Sequence, residues 1–276
     1  MEYGNLQVVV VDNDSQDGSP EEIRRTFPQV RLIANQSNLG FGAACNLGFE
    51  AGLEDEADYF LLLNQDIIAA PDLAQVLVSS ARERPGAALF GPKTFFLDPG
   101  PDGQPRIQYA GAWRRLLPLR FLVPGIGAPD SERFNRPCRV DAVWGHGMLI
   151  RGRALKRVGL FDTDFFMYHE DIDLCRRMQM AGYEVFYEPR AVVWHDLADS
   201  DRATESEEWR WRYKVDSAWT FHRKHYGRFR AWILTPLNVL DETQHLLMRG
   251  RIRAAFHLGR VFLRSVSDRL AQNRME

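Results

Sequence analysis

Four unbroken apolar runs, each followed by a polar turn, space out the first hundred residues and set the expected architecture. Residues 6–11 (LQVVVV) are a mostly apolar run ending in four β-branched valines, the pattern of a strand covered on both faces. Residues 30–34, 58–63 (DYFLLL) and 87–90 repeat that pattern. Between the first two, residues 20–27 predict a helix with Ser19 as N-cap, Pro20 in the first helical position and Glu22 closing a capping box. Residues 71–84 predict a plain amphipathic helix. Strands alternating with helices predict an α/β domain that presents its strand ends to a ligand. Further along, residues 140–150 read as a strand interrupted at Gly145 and Gly147, and 153–158 as a short helix. A helix with acids in its first turn then opens at Glu170-Asp171 and stops at Gly182. Leu174, Cys175 and Met178 follow Asp171 at three, four and seven residues, so Asp171 heads the apolar stripe. Asp173 is expected to pair with Arg176 or Arg177 on the outer face. Strands at 184–187 and 192–195 complete this stretch.

The polar groups at the strand ends carry the candidate chemistry. Asp12 follows the first run directly and is placed to accept hydrogen bonds from a base or ribose; a set of turn and cap acids is the equally weighted alternative. Residues 38–48 (NLGFGAACNLG) form a glycine-rich loop entering a small-residue helix, where backbone and ligand can approach closely. The third run delivers Asn64-Gln65-Asp66, an acid suited to a hard divalent cation such as Mg²⁺ or Mn²⁺. His146, between two glycines, is either a substrate contact or a buried structural histidine. A carboxylate at position 171 aimed inward is costly unless a metal, a hydrogen-bonded partner or catalytic work accounts for it.

Composition narrows the class. At 276 residues and 45% hydrophobic, the chain can bury a large core. Its net charge of −2 is uneven: residues 221–276 hold 11 Lys+Arg against 4 Asp+Glu, and the remainder holds 24 against 33. This modest, tail-confined basic excess argues against nucleic-acid binding. Cys45, Cys138 and Cys175 are scattered without CxxC spacing, which excludes a disulfide framework and suits a reducing cytoplasm. Neither a leader pattern nor an apolar run of membrane-span length is visible.

The ordered set VVVVDNDSQDGS, NLGFGAACNLG, FLLLNQD, GHGMLIR, GLFDTDFFMYHEDIDLCRRMQMAG and VWHD, over residues 6–196, resembles family 2 glycosyltransferases, and within them rhamnosyltransferase-like members of bacterial cell-wall and surface polysaccharide assembly. The resemblance implies a GT-A fold, a mixed sheet flanked by helices, and inverting transfer from a nucleotide-diphospho-sugar donor with a divalent metal. It implies a catalytic domain over 1–200, with a nucleotide-sugar half at 1–100, an acceptor half at 101–200 and a boundary near 98–105. Residue by residue, it makes Asp171 the general base with Glu170 beside it, and Asp66 and His195 the metal ligands. Asp12, Asn13, Asn38, Gly40, Asn46 and Asn64 fall to the nucleotide-sugar, and His146 and Gly147 to a glycan or polyprenyl-linked acceptor. Members ordinarily carry a strand and a helix before the first run read here. The expectation is therefore a sheet with exposed edges, and the alternative is a truncated or degenerate member that binds nucleotide-sugar without turnover. A metal-dependent phosphohydrolase is a third reading, weakened by the shortage of clustered His and Asp ligands.

The tail reads separately. Residues 209–225 predict a helix dense in aromatics and bases, and 232–268 one or two amphipathic helices within a C-terminal extension, 201–276. Phe256, Leu258, Val261, Phe262 and Ser265 share one face with arginines at its margins. Such a segment either lies peripherally on an anionic bilayer, at the inner face of the cell membrane, or packs on the rest of the chain.

Overall fold

The computed structural model describes residues 3–114, 121–196, 207–248 and 250–272. The expected boundary at 200/201 lies outside them. The chain forms two compact units, one of Met1–Trp113, Val123–Thr163 and Glu170–Arg202, the other of Arg114–Leu122, Asp164–His169 and Ala203–Glu276.

The first unit opens with β1 (Val9–Asp12), α1 (Ser19–Thr26), β2 (Arg31–Ala34) and α2 (Phe41–Glu54). β3 (Tyr59–Leu63), β4 (Ile67–Ala69), α3 (Leu73–Glu83), β5 (Ala87–Phe96) and β6 (Ile107–Tyr109) follow. Two short strands, β7 (Trp113–Arg114) and β8 (Phe121–Leu122), stand outside the main sheet, and Arg114 and β8 belong to the second unit. β9 (Cys138–Arg139), β10 (Gly147–Arg151), α4 (Gly152–Val158), α5 (Glu170–Met180) and β11 (Glu184–His195) complete the unit. The main sheet has seven strands in the order β3-β10-β5-β11-β4, with β6 also on β5 and β9 on β11. β5 and β11 are parallel, while β10 and β4 run antiparallel to their neighbours. Leu73 and Leu77 of α3 are fully buried against Phe90, Leu149 and Val193 of the sheet. Each such side chain stabilises by roughly 1.5–3 kcal/mol relative to exposure.

Several sequence expectations change here. The run at 6–11 is not buried on both faces: Leu6 and Val8 are exposed, and β1 pairs only with β2, in parallel. β3 pairs only with β10, so among the described residues both β1 and β3 keep an open edge. Ser19 does not cap α1. Gly18 holds the cap position with φ 85°, the Ser19 hydroxyl donates to Asp17, and Glu22 pairs with Arg25 and Thr26. β5 runs through Gly91 and Pro92 rather than ending at Phe90. Its partner β11 shifts register between Glu188 and Val192, so the strand bulges where Pro92 has no N–H to offer. A Cβ on Gly91 would lie 2.6 Å from Val143, which explains the glycine. The Asp98–Pro105 stretch links β5 to antiparallel β6 inside this unit. Asp173 does pair with Arg177, at 2.7 Å, but in the interior and not on the outer face. The Arg177 guanidinium also donates to the carbonyls of Val158, Gly159 and Leu160, satisfying the end of α4, and this draws its counter-ion inside.

The second unit holds three long helices, α6 (Glu207–Tyr226), α7 (Arg228–Met248) and α8 (Ile252–Gln272). Trp211, Val215, Val239, Leu246, Leu258 and Val261 form its core. The tail face read from sequence therefore divides. Leu258, Val261 and Ser265 are buried and Phe262 packs against them, whereas Phe256 is 71% exposed.

Candidate active site

Strand pairing brings the first two acidic and basic groups together. β11 runs antiparallel to β4 with His195 opposite Ile67, the residue after Asp66. The Asp196 N–H donates to the Asp66 carbonyl at 2.8 Å, which closes the corner. His195 Nε2 then lies 3.2 Å from Asp66 Oδ2, and both side chains are nearly out of solvent. The other carboxylate oxygen, Asp66 Oδ1, is buried without a hydrogen-bond partner among the described residues.

Two further side chains hold the imidazole. Gln108, on β6, accepts from His195 Nδ1 at 2.9 Å. With Gln108 Oε1 accepting from Nδ1, Nε2 is the ring nitrogen that faces Asp66. The His146 ring stacks on His195 with centroids 4.7 Å apart, and its Nε2 lies 3.1 Å from Thr94 Oγ1. Burial, with His195 alongside, pushes the His146 pKa down to about 3, so this ring stays neutral. An imidazole nitrogen and a buried carboxylate oxygen without a hydrogen-bond partner among the described residues form, in one corner, a nitrogen–oxygen donor set that suits a divalent cation. No cluster of three or more His, Cys, Asp or Glu is gathered there among the described residues, so a bound ion would need ligands from a second molecule.

Asp171 is the second residue of α5. Its Oδ2 accepts the Gly145 N–H at 2.9 Å and its Oδ1 the Ile172 N–H at 2.7 Å. Glu170 beside it is buried, and its Oε2 has no hydrogen-bond partner among the described residues. Burial raises both pKa values, and the Asp171 charge pushes Glu170 further, well above the usual carboxylate range. The two N–H donors oppose that rise at Asp171 and favour its charged form. Just before them, Tyr168 and His169 both adopt φ near +70° (69° and 68°), a left-handed pair that costs roughly 1–3 kcal/mol per non-glycine residue.

The segment 144–147 joins the two groups. Gly145 holds Asp171, and the next residue, His146, stacks on His195 and accepts the Asn64 N–H at 3.1 Å through its carbonyl. A Cβ at Gly145 would meet the Phe41 ring at 3.1 Å and Asp171 Cβ at 3.6 Å. Asp66, His195 and Asp171 thus converge on one short stretch of chain. Asp12 ends β1 and accepts the Ser15 N–H at 3.2 Å. Asn13 ties that end to the loop before α2: its Oδ1 accepts from Leu39 N–H at 3.0 Å, and its Nδ2 donates to Asn38 Oδ1 at 2.9 Å. Asn38 also accepts the Gly40 N–H at 2.9 Å, and Gly40, at φ 85°, opens the helix.

Several of the expected side chains are engaged within the protein itself. The Asn46 amide is buried and bonded to the Phe161 N–H and carbonyl, both at 2.9 Å, so it anchors a loop. Asn13 and Asn38 bond each other and shape their loop. Gly147 is buried in β10 with its N–H on the Trp144 carbonyl, and His146 faces His195 and Thr94. Gln108 and Thr94 carry no sequence signal, because each is a lone polar residue within a strand and belongs to no motif.

The family model for glycosyl transferase family 2 matches residues 1–157, and that for glycosyl transferase family group 2 matches 128–267. An N-acetylglucosaminyl-diphospho-decaprenol L-rhamnosyltransferase of Mycobacterium tuberculosis is 31% identical over 269 residues, covering 90% of this chain and 85% of the relative. Rhamnosyltransferase WbbL of Escherichia coli is 40% identical over 75 residues, 27% of this chain and 28% of its own. Among solved structures, the mannosyltransferase PcManGT of Pyrobaculum calidifontis, in complex with GDP-Man and Mn²⁺, superposes with a TM-score of 0.54 at 18% identity, covering 95% of this chain and 78% of that one. GalNAc-T7, with UDP, GalNAc and Mn²⁺, gives 0.52 at 17% identity, covering 69% and 37%. Family model and mycobacterial relative each span more than half of the sequence, and the fold agrees: the chain belongs to glycosyl transferase family 2 and has its GT-A architecture.

Proposed function

We propose that this protein transfers a rhamnosyl-like sugar, with inversion, from a nucleotide-diphospho-sugar to a hydroxyl of a polyprenyl-diphosphate-linked glycan in cell-wall polysaccharide assembly. The activity of the mycobacterial relative supports the substrate class. The observation that carries the mechanism is the Asp171 carboxylate, held by Gly145 one residue away from the ring that stacks on His195. Asp171 takes the proton of the acceptor hydroxyl as its oxygen attacks the anomeric carbon. The new glycosidic C–O bond forms opposite the breaking bond to the diphosphate, and the nucleoside diphosphate leaves. Glu170, whose charged form burial and the Asp171 carboxylate disfavour, leaves the base role to Asp171. Asp66 and His195 hold a divalent cation, which when bound offsets the charge on the leaving diphosphate. Asp12 binds the nucleoside, and the Asn13–Asn38–Gly40 network shapes the loop beside it. Contact with the bilayer that carries such an acceptor falls to the helical unit.

The test is acceptor-dependent release of nucleoside diphosphate. With Mg²⁺ or Mn²⁺, dTDP-, UDP- and GDP-sugars are offered with and without polyprenyl diphosphate-linked N-acetylglucosamine. Release that requires both donor and acceptor is expected. Release without acceptor would indicate a phosphohydrolase, and donor binding without release a degenerate transferase; either outcome overturns the proposal.

Gln108 gives a second expectation. Replacing it with Leu frees the His195 ring, and loss of such a supporting hydrogen bond typically costs about 10- to 100-fold in metal affinity. Gln108→Leu is expected to weaken Mn²⁺ binding by that factor in a paramagnetic titration, with Gln108→Glu restoring most of it. Equal affinities for wild type and Gln108→Leu would remove the role.

A further inference from the structure

The helical unit buries one apolar face and exposes another. On α7, Phe229, Ile233, Leu237, Leu240 and Leu247 are all exposed, and at helical spacing they fall within an arc of about 80°. On α8, Ile252, Phe256, Leu263 and Leu270 fall within about 40°. Phe229 is 79% exposed, and Ile252 and Leu263 are each 68% exposed. These stripes are distinct from the core face of Val239, Leu246, Leu258 and Val261. They meet near the turn between the helices, where Leu247 and Met248 precede Ile252. Single exposed leucines need no explanation, but nine in two registered stripes form a continuous patch that marks an interaction surface.

Charge selects the occupant. Arg253, Arg260 and Arg264, all exposed, follow one margin of the α8 stripe, and Arg230 flanks the stripe of α7. Arg264 also lines a groove of about 830 Å³ with Arg212 and Arg223, in which five arginines face three carboxylates. An apolar stripe edged by cations matches the boundary between acyl chains and anionic phosphates. Among the described residues no helix is long and apolar enough to cross a membrane, so the helices would lie on a bilayer and not span it.

We propose that the exposed faces of α7 and α8 insert into the surface of an anionic phospholipid bilayer, with the marginal arginines on lipid phosphates. This deepens the reading of the acceptor as lipid-linked, but vesicle binding is measured without donor or turnover, so either can fail alone.

The full chain is floated with vesicles of phosphatidylcholine alone and of phosphatidylcholine with equal phosphatidylglycerol. Binding to the anionic vesicles is expected, with much less to the neutral ones. The double variant Phe256→Glu/Leu263→Glu, at exposed positions, is expected to lower partitioning by about 100-fold or more. Arg253→Gln/Arg260→Gln is expected to lower it about 25-fold on anionic vesicles only, since each basic side chain near such a surface contributes about fivefold. Absence of flotation, equal binding to both vesicle types, or a stable dimer in solution that the Phe256/Leu263 variant dissolves would each overturn the proposal. The last outcome would make the face a contact between copies of the chain.

Discussion

Asp171→Asn is expected to lower acceptor-dependent turnover by about 100- to 10,000-fold, the range that a positioned general base contributes. The substitution keeps the shape of the side chain and removes its capacity to take a proton. Asp171 accepts two N–H bonds, from Gly145 and Ile172, and the amide of Asn can accept one of them while its own NH₂ opposes the other. A modest fall in melting temperature is therefore expected beside the kinetic loss. Donor binding is expected to survive, because Asp171 is proposed to act on the acceptor. The loss then appears in kcat, with the donor dissociation constant unchanged in a calorimetric titration. Near-normal turnover in Asp171→Asn would remove Asp171 as the base. Burial and the Asp171 charge push Glu170 well above the usual carboxylate range, which disfavours its charged form.

The second large effect is at Asp66. Asp66→Ala is expected to abolish the part of donor affinity that depends on Mn²⁺ or Mg²⁺, a drop of at least about 100-fold where even supporting residues of metal sites are worth 10- to 100-fold. Two observations set this expectation. Asp66 Oδ1 is buried without a partner among the described residues, a costly state for a carboxylate that a cation relieves. Oδ2 faces His195 Nε2 at 3.2 Å, so the other donor stands in place. Titration of a nucleotide-diphospho-sugar with the metal, and again with a chelator, separates metal-dependent from metal-independent binding. The chelator should weaken donor binding to wild type and leave Asp66→Ala unaffected. An unchanged, metal-dependent affinity in Asp66→Ala would take the metal role from this corner.

Both residues were legible before any fold was known, for the same reason. An acid placed directly after an apolar run, or at the head of a helix's apolar stripe, announces that a buried element delivers it to one end. The order of the strands was less legible. β5 was read as ending at Phe90 because Gly91-Pro92 looks like a stop, yet a bulge in the neighbouring strand accommodates the proline. Asn46, in a glycine-rich loop-to-helix stretch, looked like a ligand contact and proved to be a clamp on the Phe161 backbone 115 residues away. Asp173 looked like a surface ion-pair partner and is buried with Arg177, because that guanidinium serves the end of another helix. In each case a polar side chain was drawn to a backbone group far along the chain, and local periodicity holds no record of such a partner.

The tail makes the same point from the apolar side. Helical spacing alone identifies amphipathic segments, but α7 and α8 each carry two apolar stripes, and only packing shows which one forms the core.

What the amino-acid order determined by itself was local: strands and helices, the acids at their ends, family membership, and the uneven charge. Tertiary structure alone decided which of those groups meet. It set His195 against Asp66 through strand register, gave Asp171 to the Gly145 N–H, brought Gln108 and His146 around one imidazole, and turned one face of the tail inward and the other out. The physical reason is range. Propensity and periodicity act over a few residues, while hydrogen bonds and burial act between any two groups that the folded backbone brings within a few ångströms.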